Sequence, residues 1–397
     1  MQARYYGAAV ALLTLPGLSQ AQTATPAKDP VLPDAPAIFK EGAALREKEQ
    51  YADAAARYEL ITPGDSSYAD AQSELALALL GAKKYPEAIA AAQRSLAAQP
   101  FSPGTLGILA SAQEEAKQFD AARQTYAQAL KLYPYNETLW LDRAIGEYNQ
   151  NKTADALTYL QRALTLRPAH GTPHRLLGIL AARQGQPAHA LISLLTYLAI
   201  EPSAERSQNV LVLIEKISSG QPIIEESEKV AAVAPNTEFD ELDQLITSKV
   251  ALNKDYVTKV KFNAALVKQT QLLVEKFPAD ADPASDFWVR VYAPLVKVLR
   301  QEDNLTTFTY LVLYSANDDR ARQWVKGNKA RVNKLTEALS VPLLALRSQQ
   351  PLPDGKLAAA WFNGATLEGL GPGTRDAEGG ITPTARGAPP SRASSCW

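Results

Sequence analysis

The chain of 397 residues is long enough for two or three domains and a sizeable core, and its 46% hydrophobic and 21% charged residues are typical of a soluble globular protein. Its 41 basic and 42 acidic side chains nearly cancel, which argues against a nucleic-acid partner. One cysteine excludes an intramolecular disulfide and a thiolate zinc site, and three histidines leave little for histidine chemistry, so we expect neither a metal nor a cofactor.

The first 21 residues are typical of an export signal. Arg4 precedes an apolar stretch that ends at Leu18. For a cut after Ala21, the small residues Ser19 and Ala21 stand at positions −3 and −1, where signal peptidase requires them. The stretch is too short for a hydrocarbon layer of about 30 Å, and nothing later in the chain offers a transmembrane segment. We expect a cleavable signal peptide over 1–21, a proline-rich linker over 22–34 and a periplasmic or secreted protein. A frayed apolar N-terminus is the alternative.

The middle of the chain repeats every 34 residues. Prolines stand at 100, 134, 168 and 202, and one step earlier lies Ser66. A fixed period of this length is typical of a repeat solenoid. Five windows follow one another: 35–68, 69–102, 103–136, 137–170 and 171–204.

Small residues recur at two places in every window. One column is alanine throughout, and the column twelve residues earlier holds only glycine or alanine: Ala54, Ala88, Ala122, Ala156 and Ala190, with Gly42, Ala76, Ala110, Ala144 and Gly178. Two helices can cross closely only where a methyl group or a hydrogen faces the partner helix. Because proline lacks the N–H that continues a helix, each window predicts two helices, the second of which is stopped by the proline.

Larger side chains recur in three further columns. Their spacing is typical of packing rather than of cofactor contacts, so we predict that they are core. The columns are Tyr51, Tyr85 and Phe119 at the turn, Tyr58, Tyr126, Leu160 and Leu194 on the second helix, and Ile38, Leu106 and Trp140 early in the first helix.

These columns, together with segments such as 83–100 and 119–134, resemble the tetratricopeptide repeat. The resemblance implies an all-α fold, a right-handed superhelical solenoid of five helix pairs, followed here by a C-terminal helical domain and a tail. It also implies a concave face that binds a peptide or another protein, and it brings no catalytic residues. The departures from the family's pattern are Ser66, Thr153, Pro187 and His174.

The resemblance also assigns the groove, because the first helix of each repeat lines the concave face at fixed positions in this family. The large residues at these positions are Phe39, Arg46, Glu47, Asp70, Leu77, Leu80, Glu114, Glu115, Leu141, Ile145, Tyr148, Asn149, Arg175, Ile179 and Arg183. An apolar floor flanked by acids and arginines suits an amphipathic helix or an extended segment with apolar anchors. No lysine is among them, so the family's carboxylate-clamp type does not match. The alternative is that a C-terminal helix fills the groove.

The repeats fade after Pro202. Residues 205–218 predict a helix that caps the solenoid, and residues 219–238 predict a connector. The tail, 348–397, is of low complexity and lacks sustained periodicity, so we predict that it is mostly disordered.

Residues 239–347 show apolar residues at helical spacing and predict a domain of five or six helices. Four prolines are expected to interrupt these helices: Pro278, Pro283, Pro294 and Pro342. The segments 259–277 and 286–295 are similar to the C-terminal region of exported bacterial tetratricopeptide proteins.

Other chemistry has little support in the sequence. His170 and His174 have a metal-ligand spacing, but Pro173 lies between them and no acid completes a site. The basic residues of 320–334 have acids on either side and predict a solvated helix face rather than a membrane-binding surface. A carboxylate hydrolase within 239–347 is a remote alternative.

These observations favour an exported, non-enzymatic adaptor or scaffold that binds a protein segment in the concave groove. A structural envelope protein that self-associates through its repeats is the alternative. The chemistry of the groove, rather than the identity of the partner, is what the sequence predicts.

Overall fold

A computed structural model describes residues 34–202, 206–221 and 238–348, apart from the single positions 263, 285, 302 and 317, together with two short strands. Within these residues the protein has seventeen α-helices, one 3-10 turn and one pair of two-residue strands. The predicted all-α fold is confirmed. The predicted signal peptide, nearly all of the linker, most of the connector and most of the tail lie outside the described residues.

Ten helices form five antiparallel pairs, which confirms the predicted repeats. The second helix of each pair packs on its own first helix, and each of the first four second helices also packs on the first helix of the next pair. The helices are α1 (Ala35–Glu47) and α2 (Tyr51–Tyr58), α3 (Tyr68–Gly81) and α4 (Tyr85–Ala98), α5 (Pro103–Glu115) and α6 (Phe119–Leu132), α7 (Glu137–Asn149) and α8 (Thr153–Leu166), α9 (Gly171–Arg183) and α10 (Pro187–Ile200).

Local chemistry sets the ends of these helices. The side chains of Asp34, Ser102 and Asn136 accept hydrogen bonds from backbone N–H groups in the first turns of α1, α5 and α7. Helices α4, α6, α8 and α10 each end two residues before the repeated proline, in agreement with its predicted role.

The small columns bring the two helices of each pair together. Every alanine of the second-helix column is at most 1% exposed. A Cβ atom on Gly42 would lie 2.5 Å from the ring of Tyr58, and one on Gly178 would lie 2.5 Å from Leu194. These distances leave no room for a side chain, so the helix crossing requires the residues that the sequence provides.

The turn inside each repeat has one residue in the left-handed conformation. These residues are again 34 apart, with φ from 59° to 72°: Glu49, Lys83, Lys117, Asn151 and Gly185. Only the last is glycine, the residue that adopts this conformation without steric cost. The sequence columns did not predict this backbone feature, because four different residue types share it.

The remaining helices form one unit with the last repeat. Helix α11 (Ser207–Ser219) packs on α10. Six more follow: α12 (Asp240–Thr247), α13 (Ala265–Lys276), α14 (Phe287–Arg300), α15 (Asn304–Tyr314), α16 (Asp319–Gly327) and α17 (Lys329–Ser348), with a 3-10 turn at Val250–Leu252. The strands Thr374–Arg375 and Ile381–Thr382 pair antiparallel within the predicted tail.

The prediction that Pro294 and Pro342 interrupt helices is wrong, because Pro294 lies inside α14 and Pro342 lies inside α17. A proline inside a helix removes one hydrogen bond and costs about 3 kcal/mol. Helix α14 buries Trp288, Tyr292 and Leu295 around its proline. Burial of large side chains on both sides of the proline offsets that cost, so the helix continues through it.

The C-terminal helices dock on the fifth repeat through buried polar contacts. The ring Nδ1 of His174 lies 2.8 Å from the Tyr292 hydroxyl, and Ala188 donates its N–H to Asp243 at 2.8 Å. His189 lies between Phe239 and Trp288, with ring centroids 4.2 and 4.5 Å away. One continuous core therefore runs from the fourth repeat to the end of α17.

Candidate functional site

The inner face of the first four repeats encloses an open cavity of about 810 Å³. Its walls come from the same positions of successive first helices, with additions from the turns. The lining residues are Ala43, Arg46, Glu47, Tyr51, Leu77, Leu80, Gly81, Lys83, Tyr85, Ser111, Glu114, Glu115, Asp142, Ile145 and Asn149.

Eight of the groove residues assigned from the sequence line this cavity: Arg46, Glu47, Leu77, Leu80, Glu114, Glu115, Ile145 and Asn149. They come from four different helices, α1, α3, α5 and α7. The parallel stacking of the repeats brings them together, since each position recurs every 34 residues.

The other assigned residues lie outside the cavity lining. Leu141 is only 6% exposed and belongs to the core rather than to the cavity lining. Phe39 packs on the ring of Tyr58 at 5.7 Å, and Asp70 is exposed away from the cavity. Tyr148 and Ile179 pack against the C-terminal core, while Arg175 and Arg183 are half-buried in the fifth repeat.

Two aromatic residues that the sequence predicted to be core line the cavity instead. Tyr51 and Tyr85 open the second helices of the first two repeats and are half-exposed. A Cβ atom on Gly81 would lie 2.5 Å from the Tyr51 ring, so the absence of a side chain there lets the ring lie across α3. The prediction failed because a first-turn residue lies at the lip of the helix pair rather than between the helices.

Carboxylates dominate the deep part of the cavity. Burial first, and then the negative charges of Glu147, Asp142 and Glu115, raise the pKa of Glu114 to about 7, while a hydrogen bond from the Tyr126 hydroxyl opposes the shift. The Glu114 carboxylate lies against Gly146, where any side chain would collide with it.

Asp142 was not assigned from the sequence, and it is the most enclosed acid of the cavity lining. Its burial, and then the charge of Glu137, raise the pKa of its carboxyl to about 7. Among the described residues its carboxylate has no hydrogen-bond or ion-pair partner. Its neighbours in the repeat pattern are of different types, so no column of the sequence pointed to it.

The positive charges of the lining are already engaged or peripheral. Arg46 lies 3.2 Å from Glu74, and Lys83 is exposed in the turn before α4. Behind the cavity, Lys152 pairs with Glu147 at 3.1 Å. The cavity therefore combines half-buried leucine and isoleucine surface with the carboxylates of Glu114 and Asp142, neither of which has an ion pair among the described residues.

The three histidines lie away from the cavity. His170 immediately precedes α9 and pairs with Glu137 at 2.7 Å, and the other two are buried against the C-terminal helices. No group of three or more His, Cys, Asp or Glu residues within the described ranges could hold a metal ion. In the same part of the chain, no helix combines the length and apolarity that a membrane crossing requires.

The basic run of 320–334 has local partners. Arg331 lies 3.0 Å from Asp303, and the guanidinium of Arg320 lies 4.3 Å from the Phe262 ring centroid. These contacts agree with the predicted solvated helix face.

A family model described as the tetratricopeptide repeat matches residues 39–103 and 141–205. No curated protein matches the chain. Solved structures of MamA AMB-1 and of a MamA RS-1 double mutant are similar to part of it. The first is 19% identical with a TM-score of 0.33, and the match covers 42% of this chain and 99% of that chain. The second is 14% identical with a TM-score of 0.35, and the match covers 44% of this chain and 98% of that chain.

The two matched segments fall on the array of five helix pairs. The matched segments cover α2 to α4 and most of α1, and then α8 to α10 and most of α7. The chain therefore contains tetratricopeptide repeats, and these repeats support a protein-interaction scaffold.

Proposed function

We propose that the protein is an exported, non-catalytic adaptor that holds a segment of another protein in the cavity of its first four repeats. The observation that carries this proposal is the cavity itself, about 810 Å³ in volume. This volume lies in the range in which protein pockets hold a ligand the size of a few side chains.

The character of the lining supports a protein segment as ligand. Leu77, Leu80 and Ile145 are half-buried and present apolar surface to the cavity. Exposed apolar surface of this kind in a concave face is stabilised when a partner covers it. The surrounding charged and hydroxyl groups can then fix the orientation of the bound chain.

The described C-terminal helices do not occupy this cavity. They pack on α8 and α10, the second helices of the last two repeats, and no residue in the cavity lining belongs to α11–α17. Within the described residues, this arrangement favours an open site over the alternative of a groove filled by α11 to α17.

A crosslinking experiment in the native source tests the proposal. The tagged full chain is compared with Leu77→Glu, which places a charge on the apolar floor, and with Leu132→Glu, a control at a residue that is 42% exposed on α6. We expect one protein to be captured by the wild type and by Leu132→Glu and to be lost in Leu77→Glu. Circular dichroism of the purified variants verifies that both are folded.

Capture of the same proteins by all three forms would contradict binding in the cavity.

The export part of the proposal rests on residues 1–21 and has its own test. We expect the protein purified from its source to have lost the segment that ends at Ala21 and to be released by osmotic shock. An intact N-terminus and retention with the cytoplasmic fraction would contradict export.

A further inference from the structure

The cavity has an unbalanced set of charges. Its lining holds four carboxylates, Glu47, Glu114, Glu115 and Asp142, against two cations. One cation, Arg46, already lies in an ion pair with Glu74 outside the lining. A ligand that enters this space therefore meets an excess of negative charge.

The two deepest acids come from adjacent first helices, α5 and α7. Glu114 lies against the backbone of α7, and the Asp142 carboxylate faces α5 near Gly107, where a Cβ atom would be 3.2 Å from its Oδ2. Taking both charges out of water without a cation between them is unfavourable, because like charges repel more strongly where water is excluded. A cationic group in the cavity would relieve this repulsion.

We propose that the segment bound in the groove presents an arginine or lysine side chain to Glu114 and Asp142, flanked by apolar residues that cover Leu77 and Ile145. This inference rests on the proposed function and specifies the chemistry of its partner. The charge complementarity of the cavity selects this occupant over an acidic segment, which the four lining carboxylates would repel.

A cation of the right shape would find several acceptors in the cavity. Carboxylates on two helices can accept from the several N–H groups of a guanidinium, and such charge-assisted hydrogen bonds are stronger than neutral ones. Of the two lining cations, Arg46 pairs with Glu74, and no ion pair among the described residues joins Lys83 to Glu114 or Asp142. A cation supplied by the partner would complete the arrangement.

The same contacts predict how binding depends on pH. Glu114 faces Glu147, Asp142, Glu115 and the Tyr126 hydroxyl, and Asp142 faces Glu137. Lys152 already pairs with Glu147, and both His170 and Arg167 pair with Glu137. Since both pKa values are raised to about 7, protonation below this pH removes the charges that would attract the cation.

The test uses three pools of short synthetic peptides. All contain two leucines among random uncharged residues, and they differ only at one central position, which is arginine, citrulline or glutamate. Citrulline keeps nearly the shape of arginine but has no charge. We expect the full chain to bind the arginine pool about tenfold or more tighter than the citrulline pool, and the glutamate pool weakest. The preference for arginine should shrink as the pH falls from about 8 to about 6.

Matched variants assign the effect to the two acids. The double variant Glu114→Gln, Asp142→Asn should lose the preference for arginine and still bind the citrulline pool. The control variant Glu215→Gln, which changes an exposed acid of α11, should keep the preference for arginine. Equal binding of the arginine and citrulline pools by the wild type, or an unchanged preference in the double variant, would overturn the inference.

Leu77→Glu separates this inference from the proposed function. Suppose that the wild type binds the arginine and citrulline pools equally well and that Leu77→Glu binds neither. The groove then binds peptides, and only the proposed preference for a cationic side chain is wrong. If no pool binds, or if Leu77→Glu binds all pools as the wild type does, the proposed function fails with it.

A photoreactive residue at the exposed position of Asn149 identifies the natural occupant. A crosslink in the native source to a basic segment of another protein supports the inference. A crosslink to residues 349–397 of this chain, or to a second copy, would overturn it.

Discussion

Helices α4 and α10 occupy the same place in their repeats but have opposite surroundings. Helix α4 exposes one face to solvent, whereas every residue of α10 from Ala188 to Leu198 is buried. The sequences already differ in this respect, since α4 carries Glu87 and Arg94 whereas α10 contains no Asp, Glu, Lys or Arg. The repeat pattern therefore sets the backbone, and the neighbours decide whether a face becomes core or surface.

The two regions also bury charge in opposite ways. The open repeats hold acids that resist ionisation, and the covered repeat holds histidines that resist protonation. The open region can therefore gain from a ligand with a positive charge, whereas the covered region is stable only while its histidines are neutral. Four predictions test this contrast.

The largest effect is expected where the C-terminal helices dock. Trp288→Ala removes a side chain that is 8% exposed and contacts His189 and Tyr292. We expect it to lower the free energy of unfolding by about 3–5 kcal/mol. Leu77→Ala in the open cavity is the matched control and should cost less than about 1 kcal/mol, because Leu77 is only half-buried. Urea unfolding followed by far-UV circular dichroism measures both, and equal losses would break the comparison.

Acidification should loosen the covered region first. Burial lowers the pKa of His174 and of His189 to about 4, whereas an unfolded histidine titrates near pH 6.5. As the pH falls below 6.5 the unfolded chain binds protons that the folded chain excludes. Each histidine should then cost about 1.4 kcal/mol of stability per pH unit, until about pH 4.

The acids of the open repeats should have the opposite effect: they should stabilise the folded chain as the pH falls. The pKa values of Glu114 and Asp142 are raised to about 7 in the folded chain, whereas they are near 4 in the unfolded chain. Between about pH 7 and about pH 4 the folded chain therefore binds more protons than the unfolded chain. Their contribution to stability therefore increases as the pH falls. Hydrogen exchange resolved by helix should show α9, α10 and α14 losing protection while α5 and α7 keep it. Uniform loss across the chain would contradict the prediction.

The two buried histidines should themselves differ. His174 is hydrogen-bonded to Tyr292 and to the Pro168 carbonyl, so His174→Leu leaves buried polar groups without partners and should cost about 1–3 kcal/mol. Neither ring nitrogen of His189 has a hydrogen-bond partner among the described residues. His189→Leu should therefore be neutral or raise stability by about 1 kcal/mol. Thermal unfolding at neutral pH separates the two, and a large loss from His189→Leu would show that its ring is needed.

The smallest effect concerns the backbone of the turns, where the preference for glycine at the left-handed position should be equally strong in both regions. Lys117 and Gly185 occupy the left-handed position of their turns, one in the open part and one in the covered part. Lys117→Gly should raise stability by up to about 1 kcal/mol, and Gly185→Ala should lower it by a similar amount, because only glycine adopts this conformation without strain. Opposite signs in paired melts are expected. Two destabilising changes would mean that Lys117 makes contacts that outweigh its backbone strain.

The sequence by itself determined the repeat scaffold and much of the groove. Helix pairing depends on contacts between residues that are close in the chain, such as Gly42 with Tyr58, and a column of small residues reports this directly. Eight groove residues followed from the same register, because stacking of identical units places equivalent positions side by side.

Only the tertiary structure decided which of these positions are open. Leu141 and Leu77 look alike in the sequence, yet Leu141 is buried in the core and Leu77 lines the cavity. The contact of His174 with Tyr292 joins residues 118 apart in the chain, and the proximity of Glu114 to Asp142 joins two repeats. Such pairings depend on how whole helices pack rather than on local hydrogen bonds, so no periodicity in the chain encodes them.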